Sequence, residues 1–577
     1  MCGIWGYFSQ QQLSSKRMRD VLESFYNTKP RGPDNSTLKE LNDFVNCMIG
    51  FHRLAIIDID NKANQPFEIF NSKTKTTLVT CNGEIYNYKH LIETEGLKPV
   101  SGSDCEVIKL LIEKYDIDKM LELIDGEFAL AIVEENRGES VTVTLARDHI
   151  GIRPLYYAFD VENNQLGYCS DLKGLTYGGG DSTTATQIVP NARQVQPGRK
   201  MTFTFVNDKE SGKVTLTNDV SVYFRFDQFP HTIKDLEEAK KQINANLRKS
   251  VDERMMTERP LGSLLSGGLD SSLVSAIASE LCKKNGQKLR TFSVGMPGST
   301  DRKYAEMVAK HIDSEHRHVE FSEEDFLNAI DETVRIIGSF DITTIRASVG
   351  LVLISKWISQ NTDIKVLLTG EGSDELTSGY MYFHKAPSPE ESHKENLRLL
   401  NELYLYDLLR GDRCIADFGL EARIPFLSRD FMETYLRIDP ALRIPRVNKD
   451  LGKRVEKCLL RSAFEKDNLL PHECLWRKKE AFSDGVSSVK RSWFQIIQEV
   501  ANKQYSDEEF EKRKAEYTHM EPTNKESLYF RDIFEKHYGK DIDEIVPDYW
   551  LPRWCGDVKE PSARVLESYK QKGDDNN

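Results

Sequence analysis

The sequence predicts two domains of different class, an α+β domain followed by an α/β domain, and three observations carry that expectation. The chain has 577 residues, beyond the size at which a single hydrophobic core keeps growing. Short β-rich runs separated by turn signals fill the first two hundred residues. From Leu236 the apolar period becomes helical, and strands then alternate with helices in the rhythm of a parallel sheet with right-handed crossovers.

In the first domain the runs 49–59, 77–81, 127–133, 141–146, 155–159 and 201–206 read as strands, and Val107, Leu110 and Leu111 mark a helix over 104–114. This domain is placed at 2–208. The polar, turn-rich stretch 209–227 reads as a linker. The second domain, 228–560, opens with Leu236, Ala239, Ile243, Leu247 and Val251 on one face of a helix reaching about Met256. Strands at 261–265, 290–295, 316–321 and 364–369 interleave with helices at 271–282 and 302–312, and the region after 395 is mainly helical. Residues 561–577 hold too few apolar side chains to fold alone and read as a flexible tail.

Composition narrows the function. Apolar residues at 39% and charged residues at 29% describe a soluble globular protein. A net charge of −13 argues against a nucleic-acid surface, which needs a basic face. No membrane partner is expected, because no apolar run approaches the ~20 residues of a span and the first residues lack the pattern of a secretory signal. The ten cysteines form no CxxC pair or metal-like cluster, which suits a reducing cytosol. A cytoplasmic protein is expected. The sequence does not give the oligomeric state, and a homodimer stays open.

The sharpest motif is Ser266-Gly267-Gly268-Leu269-Asp270-Ser271-Ser272, set between an apolar strand and an apolar helix. Adjacent glycines let the backbone approach a ligand closely, and the free amides of such a loop with the following helix N-terminus make an anion nest. Asp270 beside that nest would repel phosphate unless Mg²⁺ lay between them, which makes it a candidate metal ligand. The heptapeptide resembles the pyrophosphate loop of the ATP pyrophosphatases and is no Walker A loop. A second loop, Thr369-Gly370-Glu371-Gly372-Ser373-Asp374, follows the strand at 364–369, so both loops can face one site at the carboxyl ends of a sheet. Asp374 is the second candidate Mg²⁺ ligand and Glu371 a candidate for positioning the acceptor. Lys479, in the run 476–486, offers an ammonium to neutralise a pyrophosphate leaving group. Thr343, Thr344 and Arg346 offer two hydroxyls and a guanidinium for an amino-acid substrate or the α-phosphate.

A second set of motifs lies in the first domain. Cys2 follows the initiator methionine, and removal of that methionine would leave a cysteine with a free α-amine. The amine, with a pKa of about 8, can act as general base for the thiol at neutral pH. Asn82 and Gly83 supply the parts of an oxyanion hole. Arg53 could pair with a carboxylate, and Glu84 and Asp104 with an ammonium, which is what a free amino acid requires.

Cys2-Gly3-Ile4, Arg31-Gly32-Pro33-Asp34, His52-Arg53-Leu54, Asn82-Gly83-Glu84-Ile85-Tyr86-Asn87, Gly102-Ser103-Asp104 and Arg147-Asp148 together resemble the class-II glutamine amidotransferases. The later motifs, with Tyr549-Trp550-Leu551-Pro552, are similar to those of the glutamine-hydrolysing asparagine synthetases, and the resemblance runs from Cys2 to about Tyr569. It implies an N-terminal αββα sandwich of the N-terminal-nucleophile hydrolase class, followed by a doubly wound parallel-sheet nucleotide-binding domain with added helices. It implies Cys2 as nucleophile, with Arg53, Leu54, Ala55, Ile56, Ile57, Asn82, Gly83, Glu84 and Asp104 at the glutamine site. Leu265, Val294, Thr369 and Gly370 match ATP contacts, and Glu371 matches a position important for β-aspartyl-AMP formation. The implied activity is ATP-dependent conversion of aspartate to asparagine with ammonia from glutamine, carried between the sites by a tunnel. Two positions depart from the usual pattern, Pro30 where the family often has His, and Ser428 where it often has Asp. β-Lactam synthetases, sugar-phosphate amidotransferases and a catalytically silent homologue remain as alternatives. The first typically lack the N-terminal nucleophile, and the second share the first domain without the 266–272 loop.

Overall fold

Alternation along the first strand sets the layers of the first domain. In Gly3–Ser9, Ile4 and Phe8 enter one core, while Trp5 and Tyr7 enter another that holds Val21 and Phe25 of the helix Ser15–Tyr26. The same split recurs in the strand Gly126–Asn136. There Ala129, Ala131 and Val133 join Ile4 and Phe8, and Phe128, Leu130 and Ile132 pack with Val107, Ile108 and Leu111 of the helix Glu106–Lys114. Two sheets thus share an inner core and each is covered by helix, the αββα order expected. In this computed structural model, which describes residues 1–70, 75–178, 185–211, 213–448, 452–556, 560–562 and 564, both sheets are six-stranded and antiparallel. One runs 193–194, 156–160, 165–169, 3–9, 46–53, 35–42, and the other 213–222, 199–208, 140–147, 126–136, 75–85, 67–70.

Two sequence expectations are corrected. The strand read at 49–59 is Asn46–Arg53, and the chain leaves the sheet at Leu54. The Asp34 carboxylate takes the Ala55 N–H at 2.8 Å, and the Arg53 guanidinium binds the carbonyls of Asp58 and Asp60, so local side-chain bonds replace the ladder. The stretch 209–227 is not all linker. Lys213–Val222 is a strand paired along its length with Arg199–Asp208, and its alternating Val214 and Leu216 fill the inter-sheet core.

The second domain carries five parallel strands in the spatial order 315–320, 290–295, 261–264, 366–368, 421–423. In chain order this is 3-2-1-4-5, so the direction of winding reverses between Leu261–Leu264 and Val366–Leu368. A crevice opens there beyond the strand ends, the usual ligand position of a doubly wound sheet. The helices Leu269–Lys284 and Thr300–His311 pack Leu273, Ile277, Ala305 and Val308 into one core. The helix Ile342–Asn361 packs Ile345, Val349 and Val352 with Phe292 and Val294 into another. That helix corrects the expectation that no segment approaches the length of a span. It has 20 residues and a mean hydropathy of 1.2, yet 72% of its apolar window is buried inside the protein, which marks a core helix. Of the tail at 561–577, Ser562 donates to Asp484 at 2.9 Å and Arg564 pairs with Glu480 at 2.6 Å; 563 and 565–577 lie outside the described residues.

Candidate active sites in the two domains

Cys2 sits at the start of the first strand, with its thiol 3.7 Å from the Leu54 carbonyl and its own carbonyl accepting from Arg31 Nε at 3.0 Å. Burial pushes the thiol up to about 11, and the positive chain terminus at Met1 opposes that. The Asn82 side chain is fully buried, and neither its nitrogen nor its oxygen has a hydrogen-bond partner among the described residues. Buried amides are nearly always paired, so an orphan amide is the mark of a position kept for a ligand. Gly83 is required beside it because a Cβ would strike the Glu127 carbonyl on the adjoining strand.

Asp104 lies close enough to Glu84 to help raise it, and Glu421 does the same to Asp104. Burial is the main cause for both, lifting Asp104 to about 6 and Glu84 well above the carboxylate range. Asp104 accepts from the Ile85 N–H at 2.7 Å, and Glu84 stands 3.4 Å from Arg423 of the second domain. Two buried carboxyls that resist ionisation are a receptor for an ammonium, which would restore charge to both. Arg53 is anchored to the loop that follows its strand. Its guanidinium is taken by the Asp60 carbonyl at 2.7 Å, Asn64 at 2.8 Å and the Asp58 carbonyl, so it shapes the loop that presents Leu54, Ala55, Ile56 and Ile57. All four of those side chains are buried.

In the second domain a cavity of about 210 Å³ opens at the topological switch point. Leu265, Ser266, Gly268, Asp270 and Ser271 line it from the first loop, Thr369, Gly370, Glu371 and Asp374 from the second, and Val294 and Lys479 join them. Gly267 stands behind, with φ +76, and its missing side chain lets the loop rest on the backbone of Tyr304 and Ala305. A Cβ on Gly370 would lie 2.6 Å from the Ser271 nitrogen, so the two loops touch backbone to backbone. Ser373 Oγ donates to Asp270 at 2.8 Å and fixes them together.

Lys457, which no sequence motif singled out, places its ammonium 2.8 Å from both Asp270 oxygens and 2.6 Å from Asp374 Oδ1. Lys479 lies 2.5 Å from Asp374 Oδ2. Burial opposes ionisation of Asp374, but the two lysines outweigh it and hold the carboxyl below its usual range. Lys479 is raised, with Asp374 and Asp270 overcoming burial. One cation thus reaches both aspartates at once, and two carboxylates with open space toward a triphosphate suit Mg²⁺, which takes few protein ligands and fills its shell with phosphate and water. Burial lifts Glu371 to about 7 against the pull of Arg410, which bonds it at 2.8 Å and is itself held by Asp407 at 3.1 Å. Arg410 and Asp407 were also missed, since they lie on a helix with no distinguishing pattern in sequence.

The segment 341–346 is corrected in part. On the helix Ile342–Asn361 the cavity is lined by Thr343, Ala347, Leu351 and Ile354, a single face at helical spacing. Thr344 points away and donates to Asp341 at 2.7 Å, and Arg346 is buried against Glu526 at 2.6 Å and Glu560. Only Thr343 of the three reaches the cavity. Ser428, where the family often has Asp, caps the helix Arg429–Leu436 by accepting from the Phe431 N–H, a task either residue performs.

Residues 1–222 match the glutamine amidotransferase domain family, and residues 242–398 and 386–555 match the asparagine synthase family. The chain is similar to glutamine-hydrolysing asparagine synthetases along its whole length. It is 42% identical to the one from Gallus gallus, and 40% identical to those from Mus musculus and Homo sapiens. In each case 99% of both chains is covered.

Proposed function

Since the chain belongs to the glutamine-hydrolysing asparagine synthetases and makes L-asparagine from L-aspartate, ATP and glutamine, we propose how its own residues divide that work. Excision of Met1 frees the α-amine of Cys2, which takes the thiol proton. The thiolate attacks the side-chain amide of glutamine. Asn82 and Gly83 receive the oxyanion, and Glu84 with Asp104 holds the substrate ammonium. Ammonia leaves, and water later releases glutamate from the thioester.

In the second domain the aspartate β-carboxylate attacks the α-phosphate of ATP, and pyrophosphate departs. Asp270 and Asp374 would hold Mg²⁺, which supplies charge neutralisation to the triphosphate. The nest at Ser266–Ser271 takes the phosphates through its amides, and Lys479 faces the charge that grows on the leaving group. Glu371, fixed by Arg410, positions the acceptor. Ammonia displaces AMP because the adenylate is an electrophile where the free carboxylate is not. Cytosolic placement is part of the proposal and is supported by ten cysteines that are all free thiols.

The observation that carries this division is that the unpartnered Asn82 amide and the Asp270–Asp374 pair sit in different domains. Cys2→Ala should therefore abolish glutamine-dependent synthesis and leave synthesis from free ammonia intact, measured as asparagine formed with either nitrogen source. Loss of both activities in a folded variant would overturn the division.

A further inference from the structure

We propose that Lys457 is the resident counter-cation of the ATP site: its ammonium holds Asp270 and Asp374 together before nucleotide binds and yields that place to Mg²⁺ only when a triphosphate is present to receive it. The inference rests on the reading that those two aspartates hold the metal.

Four features of the structure support an ammonium installed at this point. Lys457 has a side chain only 1% exposed and makes contact with both carboxylates and with Ser373 Oγ at 3.2 Å. At 2.6 Å its contact with Asp374 Oδ1 is as close as those with Asp270, so one ammonium ties the two loops together. Its backbone sits at φ +53, a conformation that costs a non-glycine residue free energy and persists only where the surroundings impose it. Gly379 makes room for it, because a Cβ there would collide with the Lys457 stem and with Asp374 Oδ1.

The charges then decide the order of binding. Asp270 and Asp374 are matched by Lys457 and Lys479, so the pocket offers a bare dication no net negative charge to offset its dehydration. A triphosphate changes the balance, since the displaced ammonium moves from two carboxylates to phosphate oxygens beside them. Lys479, with a side chain 20% exposed, lines the cavity in which a triphosphate would lie. The two lysines therefore differ in task, and Lys457 keeps the metal site closed to metal alone.

The test is titration of the full chain with Mn²⁺ in place of Mg²⁺ and without nucleotide, following free Mn²⁺ by electron paramagnetic resonance. The native protein should show no tight site. Lys457→Met, which removes the charge and keeps the length of the stem, should gain a site that binds Mn²⁺ roughly tenfold or more tightly, the scale expected for deleting a like charge beside it. Lys457→Arg should not gain it. Glutamine hydrolysis confirms that each variant is folded, and Lys457→Gln replaces the methionine variant if that one is not. Tight Mn²⁺ binding to the native protein at Asp270, or unchanged affinity in the charge-deleted variant, overturns the proposal. If the double variant Asp270→Asn with Lys457→Met keeps the gained site, the metal lies elsewhere and the reading of the aspartates fails instead.

Discussion

Lys479 and Lys457 touch the same carboxylate, yet only Lys479 keeps a partly exposed side chain at the cavity wall. A group so placed acts mainly on charge that appears when the α–β phosphate bond breaks, so it should stabilise the transition state more than bound ATP. Lys479→Ala should lower adenylation turnover by roughly a hundredfold or more, the size seen for loss of one oxyanion donor, with a much smaller change in KM for ATP. Lys479→Arg should rescue poorly, because a planar fork does not replace a compact ammonium. Pyrophosphate release with saturating ammonia measures both constants, and a raised KM with unchanged turnover would reduce Lys479 to a ground-state contact. In the other domain the pH dependence belongs to Asp104. Its ionised form binds the substrate ammonium, and burial has raised it to about 6, so the favourable charge is present above that value and is lost as pH falls through it. The KM for glutamine should rise below pH 6, approaching tenfold per pH unit. Asp104→Asn should show a high KM without the step near pH 6; a native profile flat to pH 5 would remove Asp104 from the ammonium site.

The two phosphate-side loops were legible as elements because each combines an apolar strand, a glycine turn and a helix start, three signals that agree. Strand Arg290–Gly295 and helix Thr300–His311 were found for the same reason. The errors fall where a side chain overrides the pattern. The strand read at 49–59 stops at Arg53, because its guanidinium bonds the carbonyls of the next loop. Thr343, Thr344 and Arg346 are adjacent in sequence, yet a helix turns successive residues through about 100°, and no sequence signal fixes which of them meets the cavity. Lys457 and Arg410 were invisible because their partners lie 187 and 39 residues away. Contact between the two loops gives a test at this scale. Gly370→Ala would place a Cβ 2.6 Å from the Ser271 nitrogen and 2.8 Å from the Asp270 carbonyl carbon, where only backbone could give way. The loops should separate, and ATP-dependent synthesis should fall at least tenfold while glutamine hydrolysis is unchanged. Equal activity in the variant would show that the loops are not held in register by that contact.

Between the domains the polar contacts include buried ion pairs. Glu127 of the first domain meets Arg153 at 3.0 Å and Arg254 of the second domain at 2.8 Å; Arg31 meets Asp171 at 2.9 Å and Asp412 at 2.7 Å; Arg423 meets Glu421 at 2.9 Å and faces Glu84. Every one of these side chains is buried. Such pairs return little more than their desolvation cost while intact, but removing one partner strands a buried charge. The interface is therefore selective for one docked arrangement, which two sites sharing a reactive intermediate need. Glu127 is the point of greatest consequence, since among the described residues it alone answers two guanidiniums from two domains. Glu127→Gln should destabilise the docked protein by about 3–5 kcal/mol, because Arg254 stays buried without its carboxylate and Arg153 is left with Asp412 at 3.7 Å. At ~2–4 °C per kcal/mol for a domain of this size, the first calorimetric transition should drop by roughly 6 °C or more. Adding Arg254→Met should recover part of that loss, because the methionine needs no counter-charge and still packs on the Tyr86 ring that the guanidinium covers. Calorimetry of the native chain, both single variants and the double variant closes the cycle. Additive effects, with no recovery in the double variant, would mean that Glu127 and Arg254 act independently and that packing, not charge pairing, fixes how the domains dock.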